Sequence, residues 1–187
     1  MKVYEPQEDS YLLQKYVLKY CNKKFVVLDM GTGSGIQAIT AAKIAEKVMS
    51  VDINKDALSY AKSEAKKEKI KNITFIHSDL FDKIPNIKFD LIIFNPPYLP
   101  EEGVEDVALF SKDGVKVTAD FLDSVSGFLK ENGKVLLITS SLSKQNRIKV
   151  AIEKNLLLVQ ELEKIHVFFE DIIVVLVEKS DILKQLE

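Results

Sequence analysis

The sequence predicts an α/β domain built on a seven-stranded, mostly parallel sheet with an antiparallel last strand and helices on both faces. Three observations point there. Short apolar runs alternate with helical patterns along most of the chain. Several runs are apolar throughout rather than at every second residue, as in strands covered on both sides. The last two runs follow one another with only a short turn between them, so they pair antiparallel and reverse one edge strand.

The elements follow in order. Ser10 to Tyr20 has Leu12, Leu13, Tyr16 and Val17 on one face and predicts an amphipathic helix. Phe25 to Met30 is the first strand, Gly31 to Gly35 a turn, and Ile36 to Glu46 a helix of good helix formers. Lys47 to Ile53 is the second strand. Asn54 caps a helix running to about Lys69, with small apolar residues Ala57, Ala61 and Ala65 on one side. The Lys-rich opposite side reads as a solvated face rather than an RNA patch. Ile73 to His77 and Phe89 to Phe94 are the third and fourth strands. A polar stretch from Glu101 to Gly114 reads as a loop. Val115 to Lys130 reads as a helix stopped by Asn132-Gly133. Lys134 to Thr139 is the fifth strand and Ser143 to Asn155 a helix. Leu156 to Phe168 and Ile172 to Glu178 close the chain as strands.

Composition narrows the function classes. The 187 residues suit a single domain, 1–187, and 47% apolar residues supply one substantial core. No apolar run approaches the roughly 20 residues of a membrane span, and the N-terminus lacks a signal-peptide core. One cysteine, Cys21, forms no internal disulfide, which suits a reducing, cytoplasmic setting. The net charge is −2 and Arg147 is the only arginine, a poor endowment for a sequence-reading nucleic-acid binder. His77 and His166 read as structural, and no Cys/His/acid spacing suggests a metal. Ser140 and Ser141 lack a nucleophile elbow, so hydrolase chemistry has no support.

The candidate chemistry sits at the carboxyl ends of the strands, where ligands bind in open α/β sheets. Gly31-Thr32-Gly33-Ser34-Gly35 joins the first strand to the first helix after it. Ile36 stands where a dinucleotide fingerprint has its third glycine, and Asp29 precedes the loop. An acid there repels a pyrophosphate and attracts the ammonium of an amino-acid cofactor, which favours S-adenosyl-L-methionine over NAD. Alone, the loop also fits a plain tight turn. Asp52 ends the second strand, where a carboxylate can accept from both ribose hydroxyls or simply cap a helix. Asp79 and Leu80 follow the third strand, placed for the adenine amino group and ring.

Asn95-Pro96-Pro97-Tyr98 directly follows the fourth strand and is the most specific signal. Two prolines stiffen the peptide and remove two amide donors, so it presents acceptors. The Asn95 side-chain oxygen and the Pro96 carbonyl can both accept from one NH₂ group. That holds a planar nitrogen so that its lone pair aims in one direction. Tyr98 offers a flat face for a planar target.

With these residues in view, the chain resembles class I, Rossmann-like methyltransferases bearing an Asn-Pro-Pro-Tyr motif. It is most similar to the HemK-related branch that methylates the glutamine of the Gly-Gly-Gln loop in class 1 translation release factors. Val3-Tyr4-Glu5-Pro6-Gln7-Glu8-Asp9-Ser10-Tyr11-Leu12-Leu13 is similar to the opening of archaeal and eukaryotic members. The resemblance implies S-adenosyl-L-methionine as cofactor and S-adenosyl-L-homocysteine as product. It implies cofactor contacts from Ser10, Asp29, Gly31, Thr32, Gly33, Gly35, Asp52, Ile53, Asp79, Leu80 and Asn95, with residues 1–22 closing over the cofactor site. It implies catalysis at Asn95, Pro96, Pro97 and Tyr98, a release factor as substrate, and a small zinc-binding activator subunit as partner in some members. The stretch Val107-Ala108-Leu109-Phe110-Ser111-Lys112-Asp113-Gly114 departs from relatives, of whose Trp- and Gly-containing pattern only the final Asp-Gly is kept. Two other readings stand beside this one: methylation of an exocyclic amine such as adenine N6 in RNA or DNA, and a non-catalytic nucleotide-binding scaffold.

Overall fold

The computed structural model describes residues 3–97, 107–142 and 145–186, with side chains at 3–97, 115–142 and 146–186. Its elements run α1 (Glu8–Tyr20), β1 (Val26–Met30), α2 (Ile36–Ala42), β2 (Lys47–Asp52), α3 (Lys55–Lys67), β3 (Ile73–His77), β4 (Phe89–Phe94), α4 (Val107–Val125), β5 (Leu129–Ser140), α5 (Gln145–Lys154), β6 (Leu157–Val167), β7 (Glu170–Lys179) and α6 (Asp181–Leu186). The seven strands form one sheet in the order β3-β2-β1-β4-β5-β7-β6. Pairing is parallel from β3 through β5, and β7 runs antiparallel to both β5 and β6.

Side chains of the central strands alternate into two cores, one on each face of the sheet. Leu28, Ile92, Phe94, Val135 and Leu137 join one core with Phe121 and Leu122 of α4 and Ile148 and Ala151 of α5. Val27, Leu91, Ile93, Leu136 and Ile138 join the other with Leu12, Leu13 and Val17 of α1 and Ala38 and Ala41 of α2. This two-sided burial explains why β4 reads as a continuous apolar run. Phe94 lies at the carboxyl end of β4 with its ring 4.6 Å from that of Phe121. Truncating a buried Phe of this kind costs about 3–5 kcal/mol.

Three expectations need correction, and one element was not foreseen. Residues 107–114 are helical, not a loop: α4 begins at Val107, and the apolar helix formers before Lys112 outweigh one Gly114, which costs a helix only about 1 kcal/mol. The remainder of that expected loop, 101–106, lies outside the described residues. Asn132-Gly133 does not stop α4, which ends at Val125 and continues as a 3-10 turn at Ser126–Phe128. The pair instead lies in a register shift of β5 between Phe89↔Leu129 and Leu91↔Lys134. A β-carbon at Gly133 would meet the Phe89 carbonyl oxygen at 2.8 Å. The reversed strand, β7, is last in the chain but not at the edge, because β6 pairs outside it. Finally, α6 was not anticipated, since six residues are too few for a periodic pattern. Among the described residues no helix is long and apolar enough to cross a membrane.

Candidate active site

Register brings the candidate residues into one row. Met30 of β1 pairs with both Val51 and Phe94, and Asp52 pairs with His77. The segments that follow β1, β2, β3 and β4 therefore leave the sheet side by side, at its carboxyl end.

The glycine loop is shaped by its backbone and by what lies beneath and beside it. Gly31, Gly33 and Gly35 all have positive φ, at 63°, 52° and 84°. Gly35 also abuts α3, and a β-carbon there would sit 2.8 Å from the Ala61 β-carbon. Glycine at 35 therefore meets two demands at once, left-handed backbone and close helix approach. A β-carbon at Gly31 would meet the Phe94 ring at 3.3 Å.

Two carboxylates hold the loop. Asp29, only 2% exposed, accepts from the Thr32 hydroxyl at 2.6 Å and from the Ala38 backbone N–H at 3.1 Å. Burial pushes its carboxyl up to about 7, while the bonds from Thr32 and Ala38 pull the other way and Asp52 adds a smaller upward push. Asp52 accepts from Gly33 N–H at 2.9 Å on one oxygen and from Asn54 N–H at 2.8 Å on the other. A carboxylate has about four acceptor positions, so two remain for hydroxyl donors. As expected, the Asn54 side chain caps α3 by accepting from Asp56 N–H. Ile53 is 60% exposed beside it, and its carbonyl oxygen lies 2.9 Å from His77 Nε2.

After β3, Ser78 is buried and its N–H donates to the Asp52 carbonyl at 3.1 Å. Asp79 is exposed, and its carbonyl accepts from Asp82 N–H. Leu80 has φ 40°, an uncommon conformation for a branched side chain, and it packs against the core below.

Asn95 leaves β4 with its side chain fixed at one end. Its Nδ2 donates to Asp9 Oδ2 at 2.9 Å. Its Oδ1 is buried and has no hydrogen-bond partner among the described residues. Leaving such an acceptor unmade costs about 1–3 kcal/mol. Pro96 is buried and Pro97 exposed. Tyr98 lies outside the described residues.

Sequence reasoning missed two residues here. Asp9, 2% exposed, accepts from Ser10 N–H at 2.5 Å, the Ser10 hydroxyl at 3.1 Å and the Tyr4 hydroxyl at 3.2 Å. Gln37, in the first turn of α2, donates through Nε2 to the Ser10 carbonyl at 2.8 Å, and its own Oε1 is buried without a partner among the described residues. The one available signal was an acid pair, Glu8-Asp9, in the first turn of an amphipathic helix. Such acids are usually solvated and serve the helix dipole.

The Lys-rich outer side of α3 is remote from this row. A shallow depression lined by Lys62, Lys66, Lys69, Ile70 and Lys71 lies at the amino end of β3.

The arrangement fits a cofactor with hydroxyls and a cationic amine better than one with phosphates. Carboxylates, not basic side chains, flank the loop, and two buried acceptors near it lie without a partner among the described residues. Known proteins point the same way. Residues 21–184 match the family model described as Methyltransferase domain. The chain is 41% identical over 150 residues to a provisionally named protein N5-glutamine methyltransferase of Methanocaldococcus jannaschii, covering 76% of this chain and 74% of that one. It is 33% identical over 150 residues to the release factor glutamine methyltransferase of Buchnera aphidicola, covering 68% of this chain and 54% of the relative, so it spans about half that protein's length. Among solved structures, the E. cuniculi Mtq2-Trm112 complex, responsible for methylation of the eRF1 termination factor, superposes with a TM-score of 0.74 at 24% identity. That match covers 96% of this chain and 100% of the other. An rRNA methylase from Streptococcus thermophilus superposes with a TM-score of 0.68 at 14% identity, over 94% of this chain and 99% of that one. At such identities the structures speak for the fold alone, whereas the sequence matches place the chain itself: it belongs to the methyltransferase-domain family, in the HemK-related branch of its glutamine-methylating relatives.

Proposed function

We propose that the chain transfers a methyl group from S-adenosyl-L-methionine to a glutamine side-chain amide in the Gly-Gly-Gln loop of a class 1 release factor. The observation that carries this reading is Asn95, whose amide is held by Asp9 at Nδ2 and presents, at the end of β4, a buried Oδ1 with no partner among the described residues. The names of the relatives at 41% and 33% identity support glutamine as the target.

The cofactor, when bound, supplies an activated methyl group and leaves as S-adenosyl-L-homocysteine. The chain's own work is binding and orientation. Asp52, with two acceptor positions left by Gly33 and Asn54, would hold the ribose hydroxyls, with Ile53 next to it in the chain. Asp79 would hold the adenine amino group and Leu80 would support the ring. Gly31, Thr32, Gly33 and Gly35 let the methionine part lie against backbone. Asp29 shapes the loop through Thr32 and Ala38 and supplies negative charge toward the ammonium. Ser10 joins the site from α1, and the 1–22 segment covers it. Asn95 Oδ1 and the Pro96 carbonyl accept the two protons of the substrate NH₂, while Pro97 stiffens the peptide. An amide nitrogen becomes acidic as it gains a methyl group, so its proton passes to solvent without a strong base. Catalysis is then mostly orientation.

A small, zinc-binding activator subunit is part of this proposal, supported by a neighbour that was solved as the Mtq2-Trm112 complex, and the enzyme is placed in the cytoplasm. The test offers labelled cofactor to purified release factor and to total RNA side by side, with and without such a subunit. Label in the release factor is expected. Label in RNA alone would overturn the reading in favour of an exocyclic amine, and binding without transfer in every arm would favour the scaffold.

A further inference from the structure

The amide of Asn95 has two chemically opposite ends, and only its surroundings decide which end meets the substrate. The carbonyl end accepts an N–H, whereas the NH₂ end would face a substrate NH₂ donor to donor. Here the NH₂ end lies 2.9 Å from Asp9 Oδ2. An ionised carboxylate is acceptor-only, so it holds a donor and rejects a carbonyl. Asp9 is itself braced: Ser10 N–H and hydroxyl both donate to its Oδ1, and the Tyr4 hydroxyl lies 3.2 Å from each oxygen. Burial, then the neighbouring Asp9 charge, push the Tyr4 phenol up, which keeps it a donor. The Ser10 carbonyl in turn accepts from Gln37 in the first turn of α2. One turn at the start of α1 therefore ties the helix after the glycine loop to the residue that leaves β4.

From this geometry we infer that Asp9 is a positioning residue: its carboxylate orients the Asn95 amide so that the carbonyl oxygen, not the NH₂ group, receives the substrate. The inference rests on the reading of Asn95 as the holder of the substrate amide. A helix-dipole role for Asp9 would need only an acid in the first turn. It would need neither burial to 2% exposure nor contact with a residue 86 positions away.

The test compares Asp9→Asn, Asn95→Asp and the exchanged double variant Asp9→Asn/Asn95→Asp with wild type. Asparagine at 9 keeps volume but offers a donor as well as an acceptor, so the Asn95 amide is free to turn over. The expected result is a fall in kcat of roughly 10- to 100-fold for Asp9→Asn, with KM, cofactor Kd and thermal midpoint nearly unchanged. Asn95→Asp puts two carboxylates together and falls further. The exchange restores a donor–acceptor pair with an acceptor toward the substrate, and regains at least roughly tenfold over Asn95→Asp. Wild-type turnover in Asp9→Asn would overturn the inference. So would a loss of kcat matched by loss of cofactor affinity and melting temperature, with no rescue in the exchange. A second readout is independent of turnover: protection of the Asn95 side-chain NH₂ from hydrogen exchange by NMR. Protection lost in Asp9→Asn supports the orientation, and protection unchanged overturns it, even if wild type methylates no glutamine and the reading of Asn95 itself fails.

Discussion

The two halves of the site are finished to different degrees. On the side of β1 and β2, every carboxylate is engaged with the loop: Asp29 with Thr32 and Ala38, Asp52 with Gly33 and Asn54. On the side of β4, Asn95 is anchored at one end and leaves at the other a buried acceptor with no partner among the described residues. The first half is a preformed cradle whose groups stabilise the chain with or without a ligand. In the proposed reading, the second half accepts a small energetic cost in return for a directed hydrogen-bond site. Changes to the first half should therefore register in stability and cofactor affinity, and changes to the second in rate.

Four substitutions can break or sharpen that contrast. Asn95→Ala should lower kcat by roughly 100- to 1000-fold while calorimetry finds cofactor affinity within a few-fold of wild type. A matched loss of affinity would dissolve the contrast. Gly35→Ala should destabilise by about 2–4 kcal/mol in denaturant unfolding, combining left-handed backbone strain with the clash against Ala61. An unfolding midpoint equal to wild type would show that the loop is not rigidly held. Asp52→Ala should weaken cofactor binding by roughly 10- to 100-fold and leave kcat at saturating cofactor nearly intact.

The smallest effect belongs to Asp29. Its carboxyl rises on folding from 3.8 to about 7. In that window the folded chain holds a proton that the unfolded chain has released. The stability this confers is present below about 3.8 and is lost as pH rises through about 7. Asp29→Asn should remove that downward slope from a plot of unfolding midpoint against pH. If Asp29 also draws the cofactor ammonium, the same variant weakens cofactor binding above pH 7 more than below it.

Much of the architecture was legible in the sequence. β3 and β4 were placed to the residue, because apolar runs bounded by polar turns allow little latitude. The Asn54 cap and the Gly31 to Gly35 turn were legible because each rests on local chemistry. The start of α4 was not, since Lys112-Asp113-Gly114 carries turn chemistry that the surrounding helix overrides. The position of β7 inside β6 was hidden because pairing order between adjacent strands is a tertiary choice. Among the candidate site residues, Asp29 and Asp52 stand out in the sequence from their places at the carboxyl ends of β1 and β2, and Asn95 from its place directly after β4. Asp9 and Gln37 were not, because their roles come from burial and from partners 86 and 27 positions away. The near-neutral Asp29 carboxyl was likewise invisible until its burial was known.

The central claim is that Asn95 holds a glutamine side-chain amide for methylation. Tandem mass spectrometry of a release factor incubated with the enzyme and cofactor tests it most directly. The account predicts one added methyl group on the glutamine side-chain nitrogen of the Gly-Gly-Gln loop with wild type, and almost none with Asn95→Ala. A methyl group on another residue, or equal modification by both proteins, would contradict it.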